Sequence, residues 1–199
     1  MTVRLLRKRL MRCISVFRRS LRLMNRKNNI ILIGFMGSGK TTFGRWISTS
    51  HSMKFIDTDE YIEKKYNKLI KDIFRESGEE AFRNMETQAV RELADSSDNC
   101  VISVGGLPVR DINRRLLKEL GIVVYLKTEV DELVKRLSKD TSRPLLAGGN
   151  LREKIESLMT AREALYKDAA DVIVKTDGRR FEDMYADIVS AVNIGIMED

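Results

Sequence analysis

The chain has one histidine, two cysteines and two prolines in 199 residues. A lone histidine, His51, leaves no imidazole cluster for a metal and argues against histidine-based acid–base chemistry. Cys13 and Cys100 stand far apart, which is no metal-ligand spacing and fits a reduced, cytoplasmic setting. So few prolines, together with 43% hydrophobic residues, argue against a disordered chain. No uninterrupted apolar run approaches the roughly 20 residues that a membrane-spanning helix needs. The length instead suits one α/β domain with an ample core.

Acid is missing from one stretch in particular. Met1 to Lys27 holds ten Lys/Arg and no Asp or Glu. Setting those ten aside leaves 26 basic residues against 29 acids, so residues 28–199 carry −3 although the whole chain carries +7. A generally basic surface for nucleic acid is therefore not supported for the body. The head itself reads in two ways: as a disordered extension of residues 1–27, or as an Arg-rich amphipathic leader of the organellar-transit or anionic-membrane type.

What is present is a phosphate-binding motif. Gly34-Phe35-Met36-Gly37-Ser38-Gly39-Lys40-Thr41 matches G-x-x-x-x-G-K-[ST], with the apolar run Ile30–Ile33 before it and a helical segment after it. Glycines let successive backbone N–H groups turn inward, and a helix N-terminus adds partial positive charge. Lys40 would reach the β/γ-phosphates of a nucleoside triphosphate and the Thr41 hydroxyl would hold Mg²⁺. Short apolar runs at 29–33, 54–57, 101–104, 122–126 and 172–174 alternate with helical segments near 40–50, 59–66, 69–77, 79–95, 111–120, 129–139, 151–168 and 180–194. Continuous apolar character predicts parallel strands covered on both faces, hence a doubly wound sheet with ligands at the carboxyl ends of its strands. Residues 140–150, polar and carrying Pro144, Gly148 and Gly149, read as a mobile loop.

Several polar residues fall where such a sheet binds ligands. Asp57 and Asp59 close the second strand, and i, i+2 alternation would point both carboxylates one way. Asp57 would support the metal and Asp59 would meet an acceptor hydroxyl, while helix capping is the structural alternative. Arg162 sits within the stripe Leu151, Ile155, Leu158, Arg162, Leu165, so it needs an anionic partner, either an internal carboxylate or a substrate carboxylate. Arg83 flanks the stripe Phe82, Met85, Ala89, Leu93, which leaves open a solvated arginine. Gly105-Gly106, after the third strand, suits either an anion-binding turn or an ordinary one. Arg143, in the mobile loop, is placed to meet phosphates on closure. Trp46, the single tryptophan, reads as core.

Taken in order, Gly37–Thr42, Phe55–Asp59, Gly78–Arg83, Val104–Gly106, Arg143–Leu146 and Arg162 with Leu165-Tyr166 resemble the shikimate kinase family from Asn28 onward. The resemblance implies a three-layer P-loop kinase fold, a parallel sheet ordered 2-3-1-4-5 with a mobile lid, and transfer of the ATP γ-phosphoryl to the 3-hydroxyl of shikimate. It implies ATP contacts from Gly37, Ser38, Gly39, Lys40, Thr41, Thr42, Arg143 and Arg136, the last packing on adenine. It implies Mg²⁺ on Thr41 and Asp57, and shikimate on Asp59, Arg83, Gly105, Gly106 and Arg162. Lys40, Asp59 and Arg143 would carry the chemistry, in a monomer with no nucleic-acid or membrane partner. The chain departs from the family by having two glycines, where three are usual, after the third strand. That shorter loop predicts a several-fold higher KM for shikimate. Ala164 stands where proline is common. Another small hydroxy acid such as gluconate, a non-catalytic relative, and a nucleic-acid-associated protein using the basic head are the competing readings.

Overall fold

The apolar runs become five strands: β1 (Ile30–Ile33), β2 (Lys54–Asp57), β3 (Cys100–Ser103), β4 (Ile122–Lys127) and β5 (Val172–Lys175). A computed structural model describes residues 27–138, 146 and 149–197. The basic head up to Arg26, Arg143 and most of the 140–150 loop therefore lie outside the described residues. All four strand pairings are parallel and the order is β2-β3-β1-β4-β5, as the resemblance implied. Each crossover is helical: α1 (Lys40–Ser50), α2 (Thr58–Tyr66), α3 (Ile70–Ser96), α4 (Asp111–Leu120), α5 (Val130–Leu137) and α6 (Leu151–Ala169), with α7 (Phe181–Met197) closing the chain.

Alternation along β1 explains why the run is apolar throughout. Ile31 and Ile33 enter one core with Ile102, Val123 and Tyr125, under α3, α4 and α6. Leu32 enters the other with Val124, Leu126, Phe43 and Met184, under α1 and α7. Each such side chain removed from water contributes about 1.5–3 kcal/mol. The edge strand β5 departs from the expected double coverage, because Val172 and Val174 are buried while Ile173 remains 48% exposed. An edge strand has a neighbour on one side only, and here one of its faces stays open.

Two local features matter for the site. Helix α3 breaks at Gly78 (φ 79°, ψ 173°), which divides it where the sequence predicts two helices, 69–77 and 79–95. That backbone region is essentially reserved for glycine. Midway along α1, Trp46 stacks on Phe43 with 6.0 Å between centroids and lies 5.8 Å from the Phe181 ring. Among the described residues, no helix is long and apolar enough to cross a membrane.

Candidate active site

The β-to-α connections meet at the carboxyl edge of the sheet around a cavity of about 940 Å³. One end is the loop between β1 and α1. Gly34, Gly37 and Gly39 take φ values of 148°, 78° and 91°, a curl that L-residues rarely follow. Gly39 caps α1, so the first-turn amides of that helix, which have no intrahelical acceptor, face the cavity. Lys40 Nζ donates to the carbonyls of Gly34 and Phe35, both at 2.9 Å, so the ammonium is held across the loop. Ser38 Oγ is buried and has no hydrogen-bond partner among the described residues. Thr42 is exposed and lines the cavity. Arg136, on α5, donates from Nη1 to Gly37 O at 3.1 Å and from Nε to Glu132 at 2.9 Å, which fixes it against the same loop.

Thr41 Oγ1 donates to Asp57 Oδ2 at 3.1 Å, while Asp57 Oδ1 accepts the Asp59 backbone N–H at 3.0 Å. Capping and a place in the site thus coexist in one carboxylate. Asp59 lies in the first turn of α2, which corrects the strand-alternation argument. The chain turns helical at Thr58, and that turn carries the second carboxylate into the cavity. The donors here fit Mg²⁺: a hydroxyl and a carboxylate are hard oxygen ligands. Among the described residues no cluster of three His, Cys, Asp or Glu side chains forms a protein cage. Such a sparse set suits an ion that keeps waters and phosphate oxygens.

The other end of the cavity is built by α3, α6 and the turn after β3. Arg83 is 6% exposed, not solvated. Its Nη1 donates to Glu86 Oε2 at 2.6 Å, and Nη2 and Nε donate to Glu79 Oε1 at 2.8 and 3.2 Å. Burial alone would lower the Arg83 pKa, yet the two glutamates raise it on balance. Glu86 is 0% exposed, and burial pushes its carboxyl up to about 7 against the pull of Arg83. Gly105 and Gly106 explain themselves through close approach. A Cβ on Gly105 would stand 3.3 Å from Asp59 Oδ1, and one on Gly106 only 2.3 Å from Arg83 Nη1. The turn is glycine so that two site side chains fit beneath it.

Arg162 is half-buried and lines the cavity, but the buried face of α6 continues through Tyr166 and Ala169, not Leu165. The helix rotates by one position from the predicted stripe, because a 3.6-residue period admits either neighbour. Among the described residues no carboxylate pairs with Arg162, so the internal partner weighed from sequence is not found there.

A family model for shikimate kinase matches residues 36–193. The chain belongs to the shikimate kinase family. It is 42% identical over 167 residues to the shikimate kinase of Dictyoglomus turgidum, an alignment covering 82% of this chain and 96% of that one. The shikimate kinase from Acinetobacter baumannii in complex with shikimate superposes with a TM-score of 0.80 at 35% identity, over 87% of this chain and 97% of that chain. The Aquifex aeolicus shikimate kinase gives a TM-score of 0.73 at 30% identity, covering 86% of this chain and 99% of its own.

This shikimate kinase fold brings together Lys40, Thr41, Asp57, Asp59, Arg83, Gly105, Gly106, Arg136 and Arg162 around one cavity. Two contributions escape a reading of the sequence. Glu86 lies between Phe82 and Ala89 on the apolar stripe of α3, the same signal that marks Arg162. Thr176, Gly178 and Arg179, after β5, also line the cavity near the phosphate loop, and they carry no motif. Topology alone places them, since they follow the carboxyl end of a strand.

Proposed function

We propose that this protein transfers the γ-phosphoryl group of ATP to the 3-hydroxyl of shikimate. One observation carries the reading: a single cavity is lined by a phosphate-binding loop, by Asp59 and by Arg162, an arginine that has no carboxylate partner among the described residues. The family assignment supports the same acceptor.

In this mechanism the loop amides and Lys40 hold the β- and γ-phosphates, and Arg136 lies against the adenosine side. Thr41 and Asp57 would hold Mg²⁺, which would supply neutralisation of the phosphate charge. Arg162 binds the shikimate carboxylate, with Arg83 completing that end, and the amides of Gly105 and Gly106 close on the ring. Asp59 accepts the proton of the 3-hydroxyl. The hydroxyl oxygen forms a bond to the γ-phosphorus, and the bond from that phosphorus to the bridging oxygen breaks, leaving ADP. Alignment of the two substrates supplies most of the acceleration.

Residues 28–199 are proposed as the catalytic unit, acting as a monomer, so removing residues 1–27 leaves turnover unchanged. The decisive assay supplies Mg²⁺–ATP with shikimate, gluconate or a nucleoside monophosphate. ADP release with shikimate alone, and phosphorus on the 3-oxygen by NMR, is the expected result. Equal ADP release without an acceptor, or preference for another acid, rejects the reading.

A further inference from the structure

We propose that Tyr166 is a positioning residue, which holds Arg162 in the substrate end of the cavity while leaving its charge unneutralised. The inference rests on the substrate reading above. It starts from a contrast between the two arginines. Arg83 is matched by Glu79 and Glu86, so the pair of glutamates already answers its charge. Among the described residues Arg162 has no such carboxylate, yet it must be oriented, because an arginine side chain carries about 2 kcal/mol of rotamer entropy.

Tyr166 is built to provide that orientation. It lies one turn along α6 from Arg162, at i+4, where side chains share a face. It is 1% exposed and is among the residues that line the cavity. Its ring stacks on Tyr125 with 5.2 Å between centroids and 27° between planes. Tyr125 is itself fully buried on the interior strand β4, so the phenol is anchored to the sheet. Both side chains line the cavity from successive turns of α6, which puts the phenol within reach of the guanidinium. A neutral acceptor can fix the direction of a guanidinium without cancelling it, whereas a carboxylate in the same place would compete with the carboxylate of the substrate.

The test uses the full chain and Tyr166→Phe, which keeps the ring and its stack and removes only the hydroxyl. Shikimate binding is measured by titration calorimetry, and turnover by a coupled assay. The dissociation constant for shikimate should rise about fivefold, the equivalent of one net hydrogen bond. Saturated kcat and the KM for ATP should stay within about twofold, since the phosphate end is untouched. The difference should vanish for the methyl ester of shikimate, which lacks the anionic charge, and in an Arg162→Ala background. Unchanged shikimate affinity in Tyr166→Phe overturns the proposal, as does an equal loss with the ester or in the Arg162→Ala background. Wild-type protein that binds shikimate without phosphorylating it removes the kinase reading and leaves the Tyr166 comparison decisive. Wild-type protein that does not bind shikimate overturns both.

Discussion

Replacing Gly106 by alanine adds one methyl group at the tightest point of the substrate end. Gly106 is outside the left-handed backbone region, so alanine meets no conformational objection and the effect is purely steric. The new Cβ would stand 2.3 Å from Arg83 Nη1, 3.0 Å from Cζ and 3.1 Å from Nη2. Ordinary contact needs about 3.5 Å or more, so the guanidinium must withdraw by roughly an ångström. A flexible side chain could yield easily, but Nη1 is hydrogen-bonded to Glu86 at 2.6 Å, and Glu86 is fully buried. Its other oxygen, Oε1, already lacks a hydrogen-bond partner among the described residues. Breaking a buried ion pair costs about 3–5 kcal/mol when the remaining charge persists. Here the Glu86 carboxyl already titrates at about 7, so taking up a proton limits the loss. We therefore expect a stability loss of about 1–3 kcal/mol, which lowers the melting temperature by roughly 2–10 °C. The KM for shikimate should rise roughly 10- to 100-fold, as it would for a loss of about 1.4–2.8 kcal/mol. The KM for ATP should hardly move. Steady-state kinetics with both substrates and a thermal melt read all three quantities. An unshifted melt with an ordinary shikimate KM would show that Arg83 is not confined as described, and the reasoning would fall with it.

Other substitutions probe the remaining parts. Asp59→Asn keeps the shape and removes the base, so turnover should fall by roughly 10²–10⁴-fold while ATP binding persists. Retained activity in the coupled assay would deny Asp59 that role. Arg162→Ala should weaken shikimate binding by about 2–4 kcal/mol if the pair is desolvated, whereas a loss below about tenfold marks a structural arginine. Glu86→Gln tests the buried carboxyl through pH. Its folded-state pKa of about 7 lies above the ordinary 4.5, so the folded protein holds the extra proton between those values. The Glu86 contribution to stability therefore falls as pH rises from about 4.5 to 7. Urea melts across that window should show a shallower decline in Glu86→Gln, and identical slopes would contradict the assignment.

Much of this architecture is written in local pattern. The phosphate loop combines glycine spacing, a preceding apolar run and a following helix, and no step of that inference needs tertiary contacts. The break at Gly78 was equally visible, because glycine interrupts two helical segments. Packing decides the rest. Periodicity alone cannot choose between Leu165 and Tyr166, and the stack on Tyr125 settles which one faces inward. Arg83 is indistinguishable from a solvated arginine until Glu86 and the turn after β3 enclose it. Glu86 itself was detectable as a charge on an apolar stripe, but glutamate in a helix is usually a surface residue and attracts no notice. Thr176 and Arg179 depend on a strand lying at the sheet's edge, a fact of topology that no short segment contains.

The aromatic group behind the phosphate loop has a practical consequence. Phe43 and Phe181 border the cavity, and Trp46 touches both. Because this indole is the chain's single tryptophan, the fluorescence excited at its wavelength has one origin. A ligand in the adjacent chamber is therefore expected to alter the surroundings of those rings and, through them, the emitted light. If the proposed nucleotide site fills as described, titrating Mg²⁺–ATP while following this emission should read its loading without any attached dye.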